Sequence, residues 1–378
     1  MKQVVVLGAG MIGRTIATEL AERYAVRCCD VSQQNLRLLA AHKNISLLIC
    51  NVRVEKELHK AIEDADLVIG AVPGFMGYDM LQRVIKAGKN IVDISFFSED
   101  ALTLDALAKK NQVTAIVDCG LAPGMDNVIL GYHSTKMNVV DFVCMVGGLP
   151  KRRTLPFQYK APFSPIDVLE EYTRPARIVE NHQLVVKPAL SEPELVEFDE
   201  VGTLEAFNTD GLRSLIKTMP VKNMKEITLR YPGHRQLMEA IRDMGFFNQE
   251  EVDLHGMRVK PIDVTAQLFF PKWKYEQGEE EFTVMRIIIS GEENGKSITY
   301  TYNLYDEYDK TKQTSSMART TGFTCCAAAE LILQNKFTQK GIIVPEYLGK
   351  KEKAYRFILD YLSERNIHYK QTITIKKK

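Results

Sequence analysis

The chain has 378 residues, enough for two hydrophobic cores, and its 45% apolar and 26% charged composition is that of an ordinary soluble globular protein. Lysine and arginine number 49 against 48 aspartate and glutamate, a balance that argues against a nucleic-acid or acidic-membrane surface. Seven cysteines, four of them in the adjacent pairs Cys28-Cys29 and Cys325-Cys326 and none in C-x-x-C spacing, read as reduced, mostly buried thiols of a reducing compartment.

Met1 leads directly into Val4-Val5-Val6-Leu7, which leaves no room for a signal peptide, and no apolar run is long enough to cross a bilayer, so the expected location is cytoplasmic. Strand-like runs at 3–7, 26–30, 46–49, 67–70, 90–94 and 114–117 alternate with amphipathic stretches at 12–23, 33–42, 55–63 and 102–110. That alternation predicts a parallel sheet with helices on both faces. After Gly147 the prolines Pro150, Pro156, Pro162 and Pro165 cluster, which marks a boundary. Two β-rich runs, 281–290 and 297–304, flank Glu292-Glu293-Asn294-Gly295, a hairpin signal. Residues 316–334 read as a helix with small residues suited to close packing, and Lys376-Lys377-Lys378 as a solvated end.

Between the first strand and the first helix stands Gly8-Ala9-Gly10-Met11-Ile12-Gly13. Gly8 would make the tight turn, Gly10 would let the backbone approach a pyrophosphate, and Gly13 would let helix and strand pack closely, with the amides at Met11 and Ile12 opening the helix toward the phosphates. Asp30 closes the next strand about 20 residues on, where a ribose-binding acid is expected. Its carboxylate would repel a 2′-phosphate, which favours NAD over NADP, although Arg14 or Arg53 could reach such a phosphate. Val72 and Pro73, after the fourth strand, and Ser95, after the fifth, lie at the ligand-binding edge of such a sheet, and serve equally well as turn residues. The fold expected is α/β: an N-terminal Rossmann doubly wound parallel sheet over 1–122, completed by 314–378, and a second α+β domain over 123–313 with a mixed, largely antiparallel sheet.

Asp118-Cys119-Gly120-Leu121-Ala122-Pro123-Gly124-Met125-Asp126-Asn127 resembles the G-x-x-P-G-x-D segment of the saccharopine dehydrogenase family. Gly147-Gly148-Leu149-Pro150, Tyr159-Lys160, Thr228-Leu229-Arg230-Tyr231-Pro232-Gly233-His234 and Ser316-Met317-Ala318-Arg319-Thr320-Thr321-Gly322 fit the same family in the same order. Within it, residues 170–177 and 207–214 are most similar to the lysine 6-dehydrogenase branch, and the Y-P-N-R-D-S type motif of saccharopine-handling enzymes is missing from 207–214. The resemblance implies NAD-dependent oxidative deamination of the ε-amino group of L-lysine to 2-aminoadipate 6-semialdehyde, which cyclises, with ammonia and NADH as the other products. A saccharopine reductase is the nearest alternative. A catalytically silent dinucleotide-sensing protein is a further one.

Hydride can leave a carbon bearing nitrogen only when that nitrogen is neutral, so the site needs a proton acceptor or a desolvating surround. Asp126 is the first candidate, which also fits a first-turn helix acid satisfying free amides; Asp118 is the second. Tyr159, Lys160 and His234 could move protons or donate hydrogen bonds, while Tyr159 could equally be a packed aromatic and His234 a turn cap. Arg213, followed by Arg230, would hold a substrate carboxylate through the planar guanidinium; Arg319 reads as structural. The seven histidines are scattered without ligand spacing, so no metal is expected, and no G-x-S-x-G elbow occurs. The partners expected are a small amino-acid substrate and a second copy of the chain, as a homodimer or a higher homo-oligomer.

Overall fold

Short apolar runs become a parallel sheet of β1 (Gln3–Leu7), β2 (Ala25–Asp30), β3 (Ile45–Ile49), β4 (Leu67–Gly70), β5 (Ile91–Asp93) and β6 (Thr114–Ile116), to which Gly341–Ile343 adds a seventh strand. The structure is a computed structural model, and it describes residues 1–276 and 278–376. From one edge the order is Gly341–Ile343, β6, β5, β4, β1, β2, β3. β1, β4, β5 and β6 are buried almost throughout, as expected of strands covered on both faces. The order reverses between β1 and β4, the switch point outside whose carboxyl ends open α/β sheets bind ligands.

The helix Met11–Leu20 buries Gly13, Ile16, Ala17 and Leu20 on one face, at helical spacing. The helix Gly74–Lys86 was not read from the sequence. Gly74 and Gly77 lower its helix propensity, and burial of Met80, Leu81, Val84 and Ile85 outweighs that cost.

A second unit is built on β7 (Asn138–Pro150), β8 (Ala176–Glu180), β9 (Gln183–Lys187), β10 (Glu194–Phe198), β11 (Gly202–Asn208) and β12 (Asn223–Arg230), a separate small hairpin of β13 (Val252–Leu254) and β14 (Met257–Val259), and then β15 (Glu281–Glu293) and β16 (Lys296–Glu307). Its main sheet runs β10, β11, β12, β7, β15, β16, Lys370–Lys376, with β8 and β9 attached beside β12. Only β12 and β7 pair in parallel; the other ladders are antiparallel. Asn294 and Gly295 both take positive φ (51° and 75°), which the two-residue turn between β15 and β16 requires.

The units divide the chain differently from the expected domains. The first holds Met1–Met137 and Met317–His368; the second holds Asn138–Ser316 and the chain from Tyr369 onward. Residues 123–137 join the first unit because the helix Met125–His133 packs backbone to backbone on the helix Pro345–Gly349. A Cβ on Gly131 would lie 2.2 Å from the Glu346 carbonyl oxygen, and one on Gly349 would lie 2.0 Å from that of Val128. The Thr-Ile alternation of Lys370–Lys376 instead satisfies the ladder of β16 in the second unit. Lys377 and Lys378, expected as a solvated end, lie outside the described residues. All seven cysteines are free and buried. Among the described residues no helix is long and apolar enough to cross a membrane.

Candidate active site

At the switch point of the first sheet the glycine turn is shaped by close contact. Gly8 has φ +109°, and a Cβ there would stand 2.2 Å from the Ala71 carbonyl oxygen, so the turn after β1 lies against the loop after β4. That loop carries Val72, buried, and Pro73, which caps the helix Gly74–Lys86. A Cβ on Gly13 would be 2.0 Å from the Gly8 carbonyl oxygen. Gly10 differs: a Cβ there meets nothing within 4 Å, and as the N-cap it brings no side chain of its own to the start of the helix at Met11. Open space at the glycine that begins a helix is what a pyrophosphate needs, so these residues fit a dinucleotide. Asp30 is fixed beside the turn: its Oδ2 accepts the Ala9 amide and its Oδ1 the Ser32 amide, each at 2.7 Å. Each oxygen retains capacity to accept a ribose hydroxyl. Arg14 lies close by and donates to the Ala9 carbonyl at 2.7 Å; burial lowers its pKa, against the pull of Cys28 and Asp30.

Ser95 is 2% exposed and donates its hydroxyl to Asp93 Oδ1 at 2.9 Å, so it faces any neighbour only as an acceptor. A Cβ on Gly77 would come within 2.6 Å of the Ser95 Cβ, which explains the glycine in that helix.

The loop carrying Asp118, which has φ 51°, closes on itself. The Gly120 amide donates to the Pro123 carbonyl at 3.1 Å, and Gly124, at φ +147°, would place a Cβ 1.9 Å from the Gly120 oxygen. Asp126 is fully buried, and its Oδ1 accepts the Gly124 amide at 2.9 Å, so the first-turn capping function read for it is realised. Asn127 links this turn to Glu346 Oε2 at 3.1 Å.

In the second unit three of the sequence candidates meet. Arg230, at the end of β12, is 3% exposed. Its Nε donates to the Tyr172 hydroxyl at 3.0 Å, Nη1 to the Leu229 carbonyl at 3.0 Å, and Nη2 to Glu171 Oε2 at 2.9 Å and to the Tyr159 hydroxyl at 3.4 Å. The guanidinium also lies 4.5 Å over the Tyr159 ring. His234 bonds the Tyr172 hydroxyl through Nε2 at 2.9 Å and the Phe157 carbonyl through Nδ1 at 2.8 Å. Burial, with Arg230 adding to it, lowers the His234 pKa to about 3. Burial raises the Glu171 pKa against the pull of Arg230.

Lys160 pairs through Nζ with Glu279 Oε2 at 2.5 Å, and the same Nζ lies 5.9 Å over the Tyr275 ring. Arg213 is 8% exposed, with φ 50°, on the chain beyond β11. Arg230 lies opposite Glu205, whereas Asn208, from which the Arg213 loop departs, lies opposite Ile227, about 10 Å along the strand. Tyr172 and Glu171 were not singled out from the sequence. The signal for Tyr172 was available, since Val168, Leu169 and Tyr172 share the buried face of the helix Pro165–Thr173 and a buried hydroxyl needs a partner. Arg319 donates to the Arg365 carbonyl at 3.0 Å, in keeping with a structural part.

A Rossmann sheet with a dinucleotide-shaped turn and a second, mixed-sheet unit defines a dinucleotide-dependent oxidoreductase. Two family models cover the chain. The one described as the saccharopine dehydrogenase NADP binding domain matches residues 4–116, and the saccharopine dehydrogenase C-terminal domain matches residues 120–367. The chain belongs to the saccharopine dehydrogenase family. It is 21% identical to saccharopine dehydrogenase [NADP(+), L-glutamate-forming] of Schizosaccharomyces pombe, over 99% of each chain. It is 23% identical to the mitochondrial alpha-aminoadipic semialdehyde synthase of Rattus norvegicus, with 66% of this chain spanning 29% of that protein. Among solved structures, apo saccharopine dehydrogenase (L-Glu forming) of Saccharomyces cerevisiae superposes with a TM-score of 0.80 at 19% identity, covering 99% of this chain and 100% of that one. The homospermidine synthase of Legionella pneumophila shares the fold, with a TM-score of 0.68 at 11% identity over 99% of this chain and 91% of that one.

Proposed function

We propose that the chain interconverts saccharopine and water with glutamate and 2-aminoadipate 6-semialdehyde, using a nicotinamide dinucleotide. The observation that carries this reading is the end-to-end match to the S. pombe saccharopine dehydrogenase, and it displaces lysine oxidation as the first choice. The cofactor, when bound, would accept hydride from the carbon of the aminoadipate half that bears the bridging secondary amine, giving an imine that water splits into the two products. The chain's own residues must bind a substrate with three carboxylates and take a proton from its secondary amine. Arg213 and Arg230 are buried cations suited to the first task. Arg235 is held by two carboxylates, Glu205 at 2.9 Å and Glu239 at 2.7 Å, against the single carboxylate of Glu171 on Arg230. Asp126 is the candidate for the second task, while burial raises the Tyr159 pKa and keeps its hydroxyl a donor.

Lysine oxidation remains the second reading, favoured by the segment 207–214, where Asp210 is held by Arg177 through two bonds of 2.8 Å and no Y-P-N-R-D-S motif occurs. Following the absorbance of reduced nicotinamide with saccharopine alone and with L-lysine alone separates the two. Turnover of saccharopine is expected, and turnover of lysine alone would overturn the proposal.

We also propose NAD as the preferred dinucleotide, on the strength of Asp30, although the S. pombe relative carries NADP(+) in its name and the matching family model is described as an NADP binding domain. Asp30→Ala is expected to weaken NAD binding at least about tenfold, the worth of a hydrogen bond to a charged group, with a relative gain for NADP. An NAD affinity that does not change in titration would count against the assignment. A homodimer is proposed as the assembled form, to be checked by light scattering.

A further inference from the structure

We propose that Tyr172 and His234 are positioning residues that hold the Arg230 guanidinium so that one Nη1 hydrogen and the Tyr159 hydroxyl proton are left for a carboxylate of the substrate. The proposal rests on the reading of Arg230 as a carboxylate contact.

The direction of each bond in the chain is forced. The Phe157 carbonyl can only accept, so His234 Nδ1 carries a hydrogen. The ring is neutral over any ordinary pH, with its pKa near 3, so Nε2 is an acceptor. The Tyr172 hydroxyl therefore donates to Nε2, which commits its single proton and turns its oxygen toward Arg230 Nε as acceptor. An anchored main-chain carbonyl thus orients an imidazole, the imidazole orients a phenol, and the phenol fixes the plane of the guanidinium.

That plane decides what is left over. Of the five guanidinium hydrogens, one goes to Tyr172, one to Leu229 and two to Glu171 and Tyr159. One on Nη1 remains. The Tyr159 hydroxyl accepts from Nη2, and among the described residues no acceptor meets its own proton, although the residue is 2% exposed. Two buried hydrogens without acceptors, beside a cation, suit an anionic oxygen. Glu171 helps to hold the arginine from the other side without competing for those two hydrogens, because it occupies Nη2.

The test is steady-state kinetics on the full chain with saccharopine as the variable substrate. Tyr172→Phe keeps the ring and removes both hydrogen bonds. It is expected to raise the saccharopine KM about tenfold, with a smaller change in kcat and an unchanged dinucleotide KM. His234→Gln can place an oxygen where Nε2 stood and should keep a KM near that of the unaltered chain. His234→Asn reaches only the Phe157 side and should raise KM as Tyr172→Phe does. A merely structural role would lower the thermal midpoint of both His234 variants without separating their KM values, and that result overturns the proposal. Arg230→Lys keeps the charge and loses the fork. If it leaves the saccharopine KM unchanged, the carboxylate reading of Arg230 fails and takes the proposal with it. If it raises KM while Tyr172→Phe does not, the positioning proposal alone fails.

Discussion

Gly13→Ala is expected to lower the stability of the chain by about 3 kcal/mol and to abolish measurable dinucleotide binding, because the added methyl has nowhere to go. It would stand 2.0 Å from the Gly8 carbonyl oxygen and 3.4 Å from the Ala71 Cβ. Neither the carbonyl nor the turn can yield, since the Gly8 amide is tied to the Cys29 carbonyl at 2.8 Å and Gly8 itself presses on Ala71. The helix Met11–Leu20 would have to lift from β1, loosening Ile16 and Leu20. Gly10→Ala supplies the contrast. Its φ of −64° suits alanine and its Cβ meets nothing within 4 Å, so thermal unfolding should stay within about 0.5 kcal/mol of the unaltered chain. Titration with dinucleotide should nevertheless show a steep loss of affinity, because the methyl fills the space where the backbone approaches the pyrophosphate. If Gly10→Ala binds as tightly as the unaltered chain, the phosphates do not sit on this turn.

That contrast also shows which parts of the site were legible in the sequence. The glycine turn and Asp30 are local: their placement follows from the order strand, turn, helix, strand, and the geometry repeats that order. The hairpin at Asn294-Gly295 is local in the same sense. The cluster around Arg230 is not. Tyr159, Glu171, Tyr172 and His234 meet it from segments as much as 71 residues away, brought together by the packing of two helices and a loop on one sheet. No periodicity in the chain encodes such a meeting; only the family resemblance drew attention to Arg230 and His234.

Lys160 shows how little adjacency in the chain decides. It stands next to Tyr159 in the chain, but its ammonium pairs with Glu279, a partner 119 residues on that no local pattern announces. The domain boundary slipped for a similar reason. The Gly120–Gly124 loop and the prolines beyond it look like a break, whereas the helix that follows carries Gly131, where backbone contact with the helix Pro345–Gly349 leaves no room for a side chain.

Arg230→Ala is expected to be the most damaging change in the second unit, costing about 3 kcal/mol, near the lower end for breaking a buried ion pair. The lower end applies because the Glu171 side chain is 19% exposed and can relax toward water, whereas Arg230 at 3% cannot. Truncation leaves Glu171 without its cation, the Tyr172 oxygen without its donor, and a void against the Tyr159 ring. Adding Glu171→Gln to Arg230→Ala removes the unpaired charge and should recover about 1 kcal/mol or more, measured as the coupling in a double-mutant cycle by urea unfolding. The pH dependence has a definite sign. Glu171 has a folded-state pKa above the ordinary glutamate value, from burial opposed by Arg230, so its contribution to stability is fully present in acid and is lost as pH rises through the folded value. Without Arg230 only the weaker pull of Arg174 still opposes burial, and the folded value climbs further. The Arg230→Ala defect should therefore be smaller in mildly acid buffer than at neutral pH, and the added Glu171→Gln should make it independent of pH over that range. A defect of equal size at both pH values, with or without Glu171, would mean that the pair is not coupled and that packing of the arginine stem on Tyr159 accounts for the loss.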